Sequence, residues 1–300
     1  MSRTSVAVLT LTIAMAAAPA LAQGDLSGSW AARNHEDALE RGAGPYAVDY
    51  AGLPLNEEGR AKALSYSGSQ LALIERQCGG WPPFYLALGP FGMKIWNETD
   101  PVSGATLAWK IGAWEDRAAT TIWMDGRPHP SSSAPHERSG FTTGRWEGAT
   151  LITYTTHMKA GGIRRNGAPS SDQATMTAHF IRHGDLLTLL EIIEDPIYLS
   201  EPEIVSKNFQ LDAAAISPVG PPCVPGYEGT SGEGKVPHYL PGKNPSIDEL
   251  TGFYGIPREA TLGGAETMYP EYRQKMRDGF VRPEKCTQNC GAPAPPPPAR

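Results

Sequence analysis

The stretch ATMTAHFIRHGDLLTLLEII, residues 174–193, indicates the fold of this chain. Two runs of apolar, β-branched and aromatic residues flank Gly184-Asp185, a pattern typical of two antiparallel strands joined by a two-residue turn. Pairing outward from that turn sets Ala178 opposite Glu191. Both faces of the hairpin are largely apolar, so we expect a central hairpin that is covered on both sides.

One face of this predicted hairpin carries a carboxylate among apolar side chains. Glu191 shares that face with Ala178, Met176, Phe180, Leu187, Leu189 and Ile193. A carboxylate in such a place either pairs with an arginine, lies at the sheet edge, or contacts a ligand as an acid of raised pKa. We keep Glu191 as a candidate catalytic acid. His179, on the opposite face, is a candidate for substrate binding.

The same alternation of short β-rich runs and turns continues on the N-terminal side of this hairpin. The runs are Met93–Glu98, Ala105–Ile111, Arg117–Met124, Phe141–Trp146 and Ala149–Met158. We therefore predict an all-β protein, an antiparallel meander that closes into a lipocalin-like barrel or a sandwich. A short helix is expected from Asn56, which has the side chain of an N-cap and is followed by Glu57 and Glu58.

Composition limits the class of function. The chain has 300 residues, a formal net charge of −6, and 33 glycines and 28 prolines. Phosphate binding needs a concentrated Lys/Arg surface, so this balance argues against a nucleic-acid partner. Prolines become frequent after about residue 212, which predicts an irregular, partly helical C-terminal extension over 213–291 that wraps the 23–212 barrel domain. The Pro-rich tail 292–300 is expected to be disordered or extended.

The N-terminus is typical of a secretory signal peptide. Arg3 precedes an apolar stretch that ends in Ala20-Leu21-Ala22, a small-x-small cleavage pattern. The alternative is an uncleaved membrane anchor, because the stretch is marginally long enough to span a bilayer. We expect residues 1–22 to be removed and the chain to reach the periplasm or the medium, with no membrane span in the mature part.

The cysteines agree with export, because an even number in an exported chain suggests disulfides. We favour Cys78–Cys223 together with Cys286–Cys290, the second pair being close enough in sequence to meet in a tight loop. The other pairings stay open, and so does metal ligation by the Cys-x3-Cys pair. No cofactor is predicted, and the metal reading is the weaker one because no histidine lies near that pair.

Several longer motifs carry a resemblance. They are Gly144-Arg145-Trp146-Glu147-Gly148, Arg164-Arg165-Asn166-Gly167, Arg182-His183-Gly184-Asp185, and Glu194-Asp195-Pro196 followed by Tyr198-Leu199. Through them most of the mature chain resembles a large family of secreted proteins from Gram-negative environmental bacteria whose activity is uncharacterised. The resemblance implies export and a β-rich fold. Separately, Gly28-Ser29-Trp30 resembles the entry strand of lipocalin-like barrels, where the tryptophan closes one end.

The segment from Asp125 to Glu137 concentrates residues that can carry chemistry. His129 is a candidate proton carrier there, while Arg127 and His136 are candidates for substrate binding. The strand that follows this loop is expected to pair with the strand ending at His157, which places His157 across from Arg138. We therefore predict one cavity mouth shared by this loop, His157 as a second catalytic candidate, and the substrate-binding candidate Arg164.

Each of these residues has a simpler alternative role. The arginines fit salt bridges to Asp172, Glu194 or Asp195, His157 fits a surface position, and His129 with His136 fits no strong metal pattern. The sequence lacks Gly-x-Ser-x-Gly, phosphate-binding glycine loops and His-Glu-x-x-His, which lowers the hydrolase, ATPase, dehydrogenase and metalloprotease readings.

Three functions of different classes are left. The first is an exported barrel that binds a small, partly apolar molecule. The second is a lyase, isomerase or hydratase that uses His/Arg acid–base chemistry in the same cavity. The third is an envelope structural or interaction protein.

Export and disulfide formation predict a simple mass measurement. The intact mass of periplasmic protein should correspond to a chain beginning at Gln23, with no thiol alkylated before reduction. Losing the Cys78–Cys223 link should reduce stability by about 3–5 kcal/mol, because the unfolded chain gains the freedom of a long loop. Two or more free thiols in freshly isolated protein would contradict the prediction.

Overall fold

The computed structural model describes residues 24–33, 47–73, 82–89, 92–113, 120–164, 166–214, 226 and 237–276. The predicted signal segment 1–22, all four cysteines and the tail 292–300 lie outside these residues, so what we expect of them stays a prediction.

The described chain is mostly β-strand with a few short helices. The strands are β1 (Gly28–Ala32), β2 (Met93–Thr99), β3 (Thr106–Ala113), β4 (Thr120–Trp123), β5 (Phe141–Glu147), β6 (Thr150–Thr156), β7 (Gly161–Gly162), β8 (Pro169–Ser170), β9 (Thr175–His183), β10 (Leu186–Glu194) and β11 (Glu203–Leu211). The α-helices are α1 (Glu57–Leu64), α2 (Tyr85–Leu88), α3 (Glu249–Tyr254), α4 (Arg258–Thr261) and α5 (Pro270–Met276), with 3₁₀ turns at Gly68–Ala72, Pro245–Asp248 and Ala265–Met268.

Nine of these strands form a closed barrel in the order β1-β11-β10-β9-β6-β5-β4-β3-β2, with β2 pairing back onto β1. The predicted all-β barrel with a helical C-terminal portion is confirmed. The meander is antiparallel except at one place, since β4 and β5 run parallel with Ile122 beside Thr142. Residues 124–140 must therefore carry the chain back to the end of the barrel at which β4 begins. A hairpin turn would instead have made β5 antiparallel to β4.

The hairpin of β9 and β10 has the predicted register, with Ala178 opposite Glu191. The hairpin of β5 and β6 differs from the prediction. Glu147 pairs with Thr150, so the turn is Gly148-Ala149 rather than Glu147-Gly148. Gly148 takes a φ of 60°, which glycine adopts without strain. This change moves each partner by two residues, which keeps every side chain on its predicted face.

The first strand closes one end of the barrel around a buried tryptophan. Trp30 is fully buried and its indole nitrogen donates to the carbonyl of Leu26 over 3.0 Å. The Arg182 guanidinium lies 5.3 Å from the ring and also bonds the carbonyl of Asp25. Gly28, at a φ of 148°, lies so close to Leu211 that a Cβ there would stand 2.5 Å from its Cδ1. We call this the hairpin end, because the β5–β6 and β9–β10 turns lie there.

The opposite end is covered by segments from both halves of the chain. Asn56 caps α1 as predicted, its side chain accepting from the amide of Gly59. The C-terminal portion bonds to this segment, since the amide of Tyr50 donates to Thr261 and that of Gly264 to Leu53. The described part of the C-terminal extension therefore contacts residues 50–66, and the Tyr269 hydroxyl also donates to Glu201 between β10 and β11.

Helix α2 packs against the β10–β11 wall. Phe84 and Ala87 are buried in the same core cluster as the inward-facing residues of those strands. Lys207 of β11 bonds the carbonyl of Gly89 just after the helix. The core beside β10 and β11 thus contains residues from the helical segment as well as from strands.

Trp30 provides a test of barrel closure. Trp30→Ala should lower the free energy of unfolding by about 3–5 kcal/mol, because it removes a fully buried indole and leaves a cavity. Urea unfolding followed by circular dichroism measures the loss. The matched control is Trp123→Ala on the outer wall, where the side chain is half-buried. Equal losses in both variants would show that Trp30 has no special part in closing the barrel.

Candidate functional site

The predicted site residues fall into two groups. Glu191 and Arg164 belong to a patch at the inner side of β10 and β11, with Glu203 and Lys207. A second group lies on the outer face of β5 and β6 and contains Arg127, His129, His136 and His157. His179 belongs to neither group, lying on the outer face of β9 opposite Leu190 and Ile152.

Glu191 is the deepest residue of the inner patch. Its side chain is fully buried, with Val205 directly opposite on β11. Glu203 and Lys207 flank Val205 on the same face of that strand, so both are diagonal neighbours of Glu191. Both are also nearly inaccessible, at 3% and 1% exposure. Three ionisable side chains therefore share one stretch of the inner wall.

The carboxyl of Glu191 has no hydrogen-bond partner among the described residues at either oxygen. Lys207 is engaged by the carbonyl of Gly89. Burial raises the pKa of Glu191 well above its usual range. The Ala87 N–H and the Lys207 charge oppose that rise without cancelling it, and the Ala87 N–H does so without the geometry of a hydrogen bond to either oxygen. Burial therefore favours the uncharged form of the Glu191 carboxyl.

The patch continues to the covered end of the barrel. A guanidinium nitrogen of Arg164 lies 3.2 Å from Oε1 of Glu203. Burial raises the pKa of Glu203 and of Asp49, while Arg164 lowers the pKa of both. An ion-paired Arg164 was one of the expected alternatives, but its partner is Glu203. Asp195 instead accepts bonds from Ser171.

Small residues line the wall next to Glu191. The residues in line with Glu191 across the sheet are Ala178 on β9, Thr153 on β6 and Gly144 on β5. Two inward-facing tryptophans, Trp109 and Trp146, have indole nitrogens without a partner among the described residues. Their rings meet edge to face at 6.3 Å. The barrel interior thus contains unpaired donors as well as an unpaired carboxyl.

The outer group is held between the β5–β6 hairpin and the returning segment 124–140. His129 lies against Phe141 and Tyr154 with ring centroids 5.1 and 5.2 Å apart. Its Nε2 is 2.9 Å from the hydroxyl of Thr143 and its Nδ1 is 2.7 Å from that of Thr156. Both threonine side chains point away from the interior because they alternate with inward-facing neighbours.

His157 extends this chain of hydrogen bonds. Its Nδ1 is 2.7 Å from the Thr156 hydroxyl and its Nε2 is 2.9 Å from the carbonyl of Ser131. His157 does not lie across from Arg138 in the sheet, because the antiparallel pairing of β5 and β6 ends at Phe141 and Thr156. The carbonyl of His157 accepts instead from the amide of Glu137, because a φ of 57° ends the strand there.

With one proton on each imidazole, these contacts allow a single assignment of donors and acceptors. A carbonyl only accepts, so Nε2 of His157 donates to Ser131 and Nδ1 accepts from the Thr156 hydroxyl. That hydroxyl has then used its one proton, so it accepts from Nδ1–H of His129. Nε2 of His129 is left to accept from Thr143. A second proton on His157 would aim two N–H groups at the Thr156 oxygen.

The other outer residues are engaged by the protein itself. Nδ1 of His136 donates to the carbonyl of Met158 over 3.0 Å, and its ring lies 5.1 Å from that of His157. Arg127 pairs with Asp125 at 2.5 Å and stacks on Trp123 at 3.6 Å. The predicted proximity of this loop to His157 is thus observed, but Arg164 lies apart from it. A single mouth shared with Arg164 is therefore not what the structure shows.

Lys207 and Glu203 were not predicted from the sequence. The signal lies in Glu203, Val205, Lys207 and Phe209, which alternate along one face of a strand that pairs with β10. Charged residues at inward positions beside Glu191 would have indicated the patch. In the part of the chain that the structure describes, no three His, Cys, Asp or Glu side chains are grouped to hold a metal ion.

Comparisons with protein-family models, with curated proteins and with solved structures find no match to this chain. Of the described helices, none is both long and apolar enough to cross a bilayer.

The lowered pKa of His129 predicts a loss of stability in acid. Burial and the neighbouring His157 lower the pKa of His129 below its usual value. The unfolded chain takes up this proton at about pH 6.5, so it binds more protons than the folded chain below that pH. Stability should then fall as the pH drops from about 7 to 5. The other charged groups near His129 are Glu137 and the Asp125–Arg127 pair.

His129→Gln should flatten this dependence by removing the titrating group. Melting temperatures measured across that pH range give the comparison, and His179→Gln on β9 is the matched control. An unchanged pH slope in His129→Gln would show that the cluster does not sense protons in this way.

Proposed function

We propose that this protein is a barrel that binds a small, partly apolar molecule in its interior, against the patch of Glu191, Glu203, Lys207 and Arg164. The single observation that carries the proposal is the fully buried Glu191 carboxyl, which has no hydrogen bond at either oxygen from any residue that the structure describes. The other features support it and describe the ligand.

An unpaired buried carboxyl is costly to keep. Leaving a buried polar group without a partner costs about 1–3 kcal/mol, and an ionised one costs more. Apolar residues in place of buried charges are often neutral or stabilising. A residue that weakens the fold in this way is explained if a ligand supplies the missing hydrogen bonds, and perturbed groups of this kind cluster at functional sites.

The surroundings of the patch suit a molecule with an apolar body. Phe209 and Leu189 flank Lys207, along β11 and directly across on β10, and both are fully buried. Ala178, directly across from Glu191 on β9, has a small side chain, whereas the inner side of Gly144, three strands away, is filled by Ile122, Met124 and Leu151. Apolar walls with a few polar groups are typical of small-molecule sites.

Acid–base catalysis is the second candidate, and the hydrogen-bond chain through His129 and His157 favours it. That chain leaves His129 unprotonated at Nε2, as a general base requires. It lies on the outer face, so such chemistry would be separate from the interior patch. We also propose that the protein is exported to the periplasm or the medium, on the strength of the leader-like N-terminus.

Native mass spectrometry of protein purified from the periplasm tests the binding function. The wild-type protein should retain a small molecule that dissociates on collisional activation. Glu191→Leu should reduce the retained fraction about tenfold or more, because a hydrogen-bonding anchor is lost. Its melting temperature should be unchanged or higher. The matched control is Glu194→Leu at the exposed end of the same strand. Equal retention in both variants would contradict an interior site at Glu191.

A further inference from the structure

We infer that Glu191 meets its ligand as an uncharged carboxylic acid, and that the ligand presents a carboxamide-type group, with a carbonyl oxygen and an N–H side by side. This inference rests on the proposed function and adds the chemical class of the ligand. It is carried by the unpaired oxygens of Glu191 and by the arrangement of the charges around them.

The two protonation states of a carboxyl offer different contacts. An ionised carboxylate only accepts hydrogen bonds, whereas a protonated one donates through its O–H and accepts at the other oxygen. Both oxygens of Glu191 are buried and unpaired among the described residues. A primary amide or a lactam can fill both positions together, because its C=O accepts while its N–H donates.

The neighbouring charges balance without Glu191. Arg164 pairs with Glu203 and also acts on Asp49. Lys207, the cation diagonal to Glu191, is held by the carbonyl of Gly89. When Asp49 is counted with the patch, the formal charges of Arg164 and Lys207 cancel those of Glu203 and Asp49, so the group is neutral when Glu191 keeps its proton. Burial favours that state by raising the pKa of Glu191.

This balance disfavours charged ligand groups. A protonated amine would be placed next to Lys207 with no net negative charge to receive it, and desolvating it would cost several kcal/mol. A carboxylate would have to take Lys207 from the Gly89 carbonyl. An uncharged amide avoids both costs, and its apolar substituent can lie along the Phe209 side of the wall.

Three probes with the same ten-carbon chain separate these alternatives. Decanamide, decylammonium and decanoate are each titrated against protein loaded with the neutral fluorescent reporter N-phenyl-1-naphthylamine. The proteins are the wild type, Glu191→Gln, Glu191→Leu and the surface control Glu194→Gln. Circular dichroism checks that each variant is folded.

The inference expects decanamide to displace the reporter from wild-type protein at a concentration about tenfold lower than either charged probe. Glu191→Gln should bind decanamide within about threefold of wild type, because a glutamine amide also offers one donor and one acceptor. Glu191→Leu should lose about tenfold, and Glu194→Gln should be unchanged.

Two outcomes would overturn the inference and leave interior binding in place. One is that decylammonium binds best and Glu191→Gln abolishes its binding, which would make Glu191 an ionised counter-ion. The other is that Glu191→Gln is as weak toward decanamide as Glu191→Leu. If neither the reporter nor any probe binds wild-type protein, the proposed function fails, and the inference fails with it.

Discussion

The structure depends on the pairing of β1 along both of its edges. This short strand hydrogen-bonds to β2 on one side and to β11 on the other, which joins the two ends of the sheet. Open edges would expose unpaired backbone groups, and closure removes them. The fully buried Trp30 in the middle of β1 packs into the core at the same place, so closure and core formation depend on the same few residues.

A closed barrel separates the side chains of each strand into an inner and an outer set. Along β5 and β6, alternate residues form the hydrogen-bonded support for His129 and His157 on the outside. On β10 and β11, the inward positions carry Glu191 and Lys207. The two chemically interesting groups are therefore on opposite sides of one wall, and they differ in solvent exposure and in the charges that surround them.

The interior patch lowers the stability of the fold, and our proposal explains this cost by ligand binding. Glu191 and Lys207 are buried where leucine or methionine would pack at lower cost. The outer cluster involves no such conflict, because each imidazole nitrogen of His129 and His157 has a partner. This contrast is the reason for proposing ligand binding in the interior first and acid–base chemistry at the outer cluster second.

The sequence by itself determined the strand pattern, the β9–β10 register and the face that Glu191 occupies, because alternation and a glycine turn are local signals. The same reasoning placed the loop of His129 beside His157. It could not reveal that β4 and β5 run parallel, or that Glu203 and Lys207 flank Glu191. In both cases the two strands are consecutive, but they are joined by residues 124–140 and 195–202, and neither connection is a two-residue glycine turn that would set direction and register in advance. Only the tertiary structure therefore decided which ionisable groups lie inside the barrel together.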